Sequence, residues 1–188
     1  MFKKKWKRKL DKPEEAGEAK PARVMNPEKI RQKTFDRAVN LLAFKPRSIA
    51  ELRDRLLEKE WATREIVDAV LDKLKEYNYL NDEQFAKSLA ASKIRQKPVG
   101  KRVLKQKLQL KKLDKETIET ALETAFEETP ETEIIDRAIE KRLRLKGKPA
   151  TREDAKKFYD YLLRQGFSYD LVSNKMREVA AKDYDEAE

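Results

Sequence analysis

The feature that most constrains what this chain can fold into is internal repetition. Shifted by 52 residues, the chain lays Leu52, Leu56, Trp61, Ile66, Ala69 and Val70 on Leu104, Leu108, Leu113, Ile118, Ala121 and Leu122, and Pro46 on Pro98. A further shift of 54 carries Leu104, Leu108, Leu113, Ile118 and Leu122 onto Phe158, Leu162, Phe167, Val172 and Met176. Large apolar residues recurring at one spacing mark one supersecondary unit used three times. A unit of about 50 residues buries too little surface to be robust alone, so neighbouring copies share contacts. The expected fold is therefore all-α: three tandem three-helix repeats, helix-turn-helix-like, in an elongated or curved arrangement behind a basic disordered N-terminal tail.

Composition supports helix nearly throughout, since the chain holds only four glycines and its seven prolines lie outside the longest periodic runs. The expected units are a flexible tail over 1–29, repeat 1 over 30–81, repeat 2 over 82–129, and repeat 3 over 130–188 with a short acidic end. Within repeat 1 the helices read Thr34 to Phe44, Ile49 to Lys59 and Arg64 to Tyr77. Ser48-x-x-Glu51 forms a capping box for the second of these and Thr63 caps the third. Repeat 2 reads Asp82 to Gln96, Gly100 to Lys111 and Lys115 to Glu127; repeat 3 reads Glu131 to Lys146, Arg152 to Arg164 and Tyr169 to Ala181, with Gly166 as a stop.

Charge is distributed unevenly over these units. Residues 84–113 contain no acid and ten bases: Lys87, Lys93, Arg95, Lys97, Lys101, Arg102, Lys105, Lys107, Lys111 and Lys112. Residues 1–33 carry a net +7, whereas 34–83 carry −2 and 114–188 carry −5. A face selected only for solubility mixes signs, so an acid-free run points to a polyanion or an acidic protein surface. On a helix continuous through Lys112, residues Lys101, Arg102, Lys105 and Lys112 fall on one stripe while Leu104 and Leu108 turn away. Arg95 and Lys97 lie just before the Pro98-Val99-Gly100 turn, where they extend that stripe toward a phosphate backbone. The candidate DNA- or filament-binding residues are Arg95, Lys97, Lys101, Arg102, Lys105 and Lys112.

Other functions lose support from what is missing. The chain has no cysteine and no histidine, which removes thiolate metal sites, disulfides and the commonest general base. No catalytic constellation, metal site or cofactor site is expected, and the protein reads as a non-enzyme. No segment has the length of a membrane span and the N-terminus lacks the apolar run of a secretory signal, so a cytoplasmic protein with no membrane partner is expected. Phe2 and Trp6 suit a membrane surface or base stacking, although a solvated tail is the simpler account. Trp61, Leu113 and Phe167, at equivalent positions, read as a repeated core, and Tyr77, Tyr79 and Phe85 as packing at the first junction. Glu127-Glu128 and Glu131-Glu133 read as solvated acidic surface.

The order of Ser48-Ile-Ala-Glu-Leu-Arg-Asp-Arg-Leu56, Tyr79-Leu-Asn-Asp-Glu-Gln-Phe-Ala86, Pro98-Val-Gly-Lys-Arg-Val-Leu-Lys-Gln-Lys-Leu108 and Leu163-Arg-Gln-Gly-Phe-Ser-Tyr169 resembles the RecX family of bacterial recombination regulators. The resemblance implies a three-repeat helical protein that binds the RecA recombinase filament and inhibits strand exchange, ATP hydrolysis and SOS co-protease activity, with DNA as a second contact. It also implies a contact role for Arg95, Lys101, Arg102 and Lys105. The chain departs from the family where a Lys-Gly pair closes the second helix: Lys59-Glu60 and Lys111-Lys112 stand in the first two copies, and only Gln165-Gly166 keeps glycine. The alternative reading is a stand-alone, sequence-independent DNA-binding protein, since each unit holds a helix-turn-helix-like pair; against entry into a major groove, the stripe is dominated by Lys and suits phosphates better than base edges. Tandem repeats need no self-association, so a monomer is expected.

Overall fold

The structure, a computed structural model, describes residues 26–185. Among the described residues there are nine α-helices and no strand: α1 (Pro27–Phe44), α2 (Ile49–Leu57), α3 (Arg64–Glu76), α4 (Asp82–Gln96), α5 (Lys101–Gln109), α6 (Lys115–Glu128), α7 (Glu131–Lys146), α8 (Arg152–Arg164) and α9 (Tyr169–Asp185). Residues 1–25 of the expected basic tail, with Phe2 and Trp6, lie outside the described residues. Its last three positions, Pro27 to Lys29, are helical instead, and α1 starts seven residues before Thr34. The Asn26 side chain accepts the Glu28 amide at 2.9 Å, and Pro27 occupies the first helical position, where a missing N–H costs nothing.

Local caps set most of the other starts. Ser48, Thr63, Asn81, Asp114 and Thr151 each accept a backbone amide three residues on, from Glu51, Ile66, Gln84, Thr117 and Asp154. The extensive helix pairings all fall within units, α1–α3, α4–α6 and α7–α9, with α4 against α6 the broadest. Leu52, Leu56, Leu104, Leu108, Phe158 and Leu162, the repeated positions of the second helices, are all buried.

The third helices follow a different register from the one the sequence suggests. In α3 the buried residues are Val67, Val70, Leu71 and Leu74, and in α6 they are Ile118, Ala121, Leu122 and Ala125, an offset of 51. Six residues separate α2 from α3 but five separate α5 from α6, so one residue is lost in the turn. Ala62, not Trp61, therefore takes the place of Leu113, and Ala62 packs on the core of the first unit. Trp61 stays half-buried with the Lys33 ammonium 3.6 Å from its ring centre. Leu113 and Phe167 are buried as expected.

Two apolar cores result. One is confined to α1–α3 and the following Leu80; the other is continuous through α4–α9. Tyr77 and Tyr79, expected to pack the first junction, are exposed and touch edge to face, while Phe85 packs against the larger core.

Candidate nucleic-acid and filament interface

The acid-free segment forms the end of α4, the Pro98-Val99-Gly100 turn, α5 and the turn after it. Arg95 and Lys97 are exposed at the end of α4 and make no side-chain bond to any described residue. The Lys101 side chain is likewise exposed and closes no ion pair, although it helps to hold the Glu119 carboxyl down and its backbone amide donates to Glu131 Oε1 at 2.8 Å. Those three bases are the uncommitted part of the expected stripe.

The other three candidate residues are engaged. Arg102 Nη2 donates to the Leu163 carbonyl at 2.7 Å, reaching from the second unit to the third. Lys105 pairs with Glu119 of α6, and this ammonium holds the Glu119 carboxyl below its ordinary value of 4.5. Lys112 pairs with Asp54 of α2, reaching back to the first unit. The continuous stripe through Lys112 does not form, because α5 ends at Gln109 and Lys112 adopts a left-handed φ of 56°. Lys111, beside it, pairs with Glu51 at 2.8 Å. The basic run thus serves two purposes, presenting charge at one end and binding unit to unit at the other.

Those bonds belong to a joint that recurs between units. Ser48 Oγ donates to the Lys111 carbonyl at 2.5 Å, and the Ile49 amide donates to Asp82 Oδ1 at 2.9 Å. At the next junction the Gly100 amide donates to the Gln165 carbonyl at 2.9 Å, the Arg102 amide to the Gly166 carbonyl at 3.3 Å, and the Lys101 amide to Glu131. In both joints the residue that opens one unit's first helix caps the free amide at the start of the preceding unit's second helix. Gly100 offers no side-chain cap to α5, so the third unit supplies the acceptors. Burial raises the Asp82 carboxyl above its ordinary value of 3.8, against the opposing effect of the Ile49 amide.

Glu131 therefore is not the solvated carboxylate that its acidic neighbourhood suggests. The sequence does carry a signal for this role: Asp82 and Glu131 both open the first helix of a unit. The closeness of the second joint needs two glycines. A Cβ on Gly100 would lie 2.4 Å from the Gly166 carbonyl carbon, and one on Gly166 would lie 2.5 Å from the Val103 nitrogen.

Among the described residues no group of three or more His, Cys, Asp or Glu is placed to hold a metal ion. No described helix is long and apolar enough to cross a membrane.

Comparison with known proteins follows the same threefold division. Family models described as the first, second and third three-helix domains of RecX match residues 35–74, 81–122 and 130–176, in that order. Regulatory protein RecX of Bacillus velezensis is 32% identical over 157 residues, covering 84% of this chain and 59% of its own length. The chain thus spans little more than half of the Bacillus relatives it matches. Regulatory protein RecX of Chlorobium limicola is 34% identical over 143 residues, covering 76% of this chain and 86% of its own. The crystal structure of RecX from Lactobacillus salivarius has the same fold, with a TM-score of 0.72 at 23% identity over 82% of this chain and 99% of that one.

Proposed function

Because the chain belongs to the RecX family of regulatory proteins, we propose that it binds the RecA recombinase filament and restrains strand exchange, ATP hydrolysis and SOS co-protease activity. The observation that carries this reading is the ordered match of all three units to the three domains of one regulatory family. In this proposal it acts in the cytoplasm as a monomer and without chemistry of its own. Its second unit contacts DNA or an acidic filament surface through Arg95, Lys97 and Lys101, which are exposed and unpaired. Arg102 and Lys112 add field nearby while holding the units together, and Lys105 adds field while paired to α6 of its own unit.

The test is recombinase-driven strand exchange and ATP hydrolysis on single-stranded DNA with increasing amounts of the full chain. Inhibition that rises with concentration is expected, and Arg95→Glu with Lys97→Glu and Lys101→Glu should weaken it roughly tenfold if several phosphate contacts are lost. No inhibition at any ratio sinks the proposal. Binding to naked DNA with no effect on the recombinase selects the stand-alone DNA-binding reading instead.

A further inference from the structure

The last turn of α4 and one face of α7 enclose a cleft of about 400 Å³ between the second and third units. Arg95 lines it from α4, and Arg137, Lys141 and Arg144 line it from α7, with Glu140 the one acid among its lining residues. The α7 cations stand at i, i+4 and i+7, so one helix face carries all three. None of the four forms an ion pair or hydrogen bond with a described residue. Partners are within helical reach: Glu133 lies four residues before Arg137, and Glu140 four before Arg144. Neither pair closes, and Asp136 pairs with Lys175 of α9 at 3.0 Å instead.

The helix dipole accounts for only part of this cluster. Arg95 and Arg144 sit in the last turns of their helices, where a cation is favoured. Arg137 and Lys141 sit in the middle of α7, and like charges four apart repel. Four unpaired cations beside a single carboxylate on one concave surface make a site for a ligand with repeated negative charge. Three are guanidinium groups, whose forked donors match phosphate oxygens. The reach from Arg137 to Arg144 is about 10 Å along α7, the rise of about three phosphates along one strand of a duplex.

We propose that this cleft binds the phosphate backbone of a nucleic acid, as a contact continuous with Arg95 and Lys97 but separate from the face of α5. The proposal deepens the reading that the chain meets DNA and rests on it. Because the walls come from two units, a bound strand also braces the joint at Gly100 and Gly166.

The test is fluorescence anisotropy without recombinase, using the full chain and a labelled single strand or duplex of about 30 nucleotides, between about 50 and 200 mM salt. The variant is Arg137→Gln with Lys141→Gln and Arg144→Gln. Its affinity should fall at least about tenfold, and the slope of log affinity against log salt should lose about 0.7 per single-strand phosphate contact or 0.9 per duplex contact. The relative loss on the two probes tells which form the cleft holds. Arg137→Lys with Arg144→Lys, which keeps the charge, should retain the salt slope, and circular dichroism checks that helix content is unchanged. Unaltered affinity and slope on both probes overturn the site, as does a wild-type chain that binds neither. Recombinase inhibition, scored in parallel, separates the two readings. A chain that binds oligonucleotide through the cleft but never inhibits keeps the site and loses the proposed function; one that inhibits with binding untouched by the variant does the reverse.

Discussion

At the scale of single residues, the turn after each unit's second helix shows how one backbone problem is solved in three ways. The third unit uses Gly166 at φ 95°, the second uses Lys112 at φ 56°, and the first lengthens the turn by a residue and uses no left-handed residue there. A left-handed L-residue costs roughly 1–2 kcal/mol, so Lys112 carries strain that Gly166 does not. Gly166 is doubly constrained, because a Cβ there would also meet Val103 across the joint. Gly166→Ala should therefore destabilise the chain by roughly 3 kcal/mol, combining backbone strain with a forced shift of the neighbouring unit. Urea unfolding measures this, and a loss under about 0.5 kcal/mol, ordinary for a surface substitution, would contradict the close approach.

At the scale of elements, the helices are started locally but fastened to each other by the same groups. Ser48 is fully buried, and its Oγ both accepts the Glu51 amide of its own helix and donates to the Lys111 carbonyl of the next unit. The Ser48 cap is visible in the sequence, but the reciprocal half of the expected capping box does not form, because Glu51 Oε1 takes the Lys111 ammonium instead; the second Ser48 bond joins residues 63 apart and has no local signature. Ser48→Ala should cost about 2 kcal/mol, a cap plus a buried carbonyl left without a partner. Thermal or urea unfolding reads the loss, and a value near that of Thr63→Ala, a cap with no such second role, would remove Ser48 from the joint. The same division explains the candidate site. Helical periodicity placed Lys101, Arg102 and Lys105 on one face, but which of them meets an acid or a carbonyl depends on where α6 and α8 lie.

At the scale of the whole molecule, the two cores differ in extent. The first serves a single three-helix unit, and the second runs without a break through six helices. Small cores are marginal, and units joined by a few polar bonds open separately more readily than units sharing apolar contacts. Native-state hydrogen exchange should therefore find the amides of α1–α3 opening at lower free energy than those of α4–α6, by at least about 1 kcal/mol. Equal protection through all three units would mean that the polar joint at Ser48 and Asp82 couples as tightly as a shared core. A first unit that opens on its own would let the chain change the angle between its modules while the second and third keep theirs.

The threefold helical pattern was determined by the sequence alone, because an apolar residue every three or four positions can be buried on one side of a helix only, and that demand is local. The same holds for most helix starts, which need one side chain and an amide three residues away. Tertiary structure decided the rest. The one-residue slip of α3, which leaves Trp61 half-buried under Lys33, follows from how a six-residue turn spans the gap to α2. The choice between free and committed cations followed from distance: Lys105, Lys111 and Lys112 find Glu119, Glu51 and Asp54, while Arg95, Arg137, Lys141 and Arg144 find one another across a cleft. Charge is written along the chain, but its compensation is a property of space, since an ion pair forms with whatever acid the fold brings within a few ångströms.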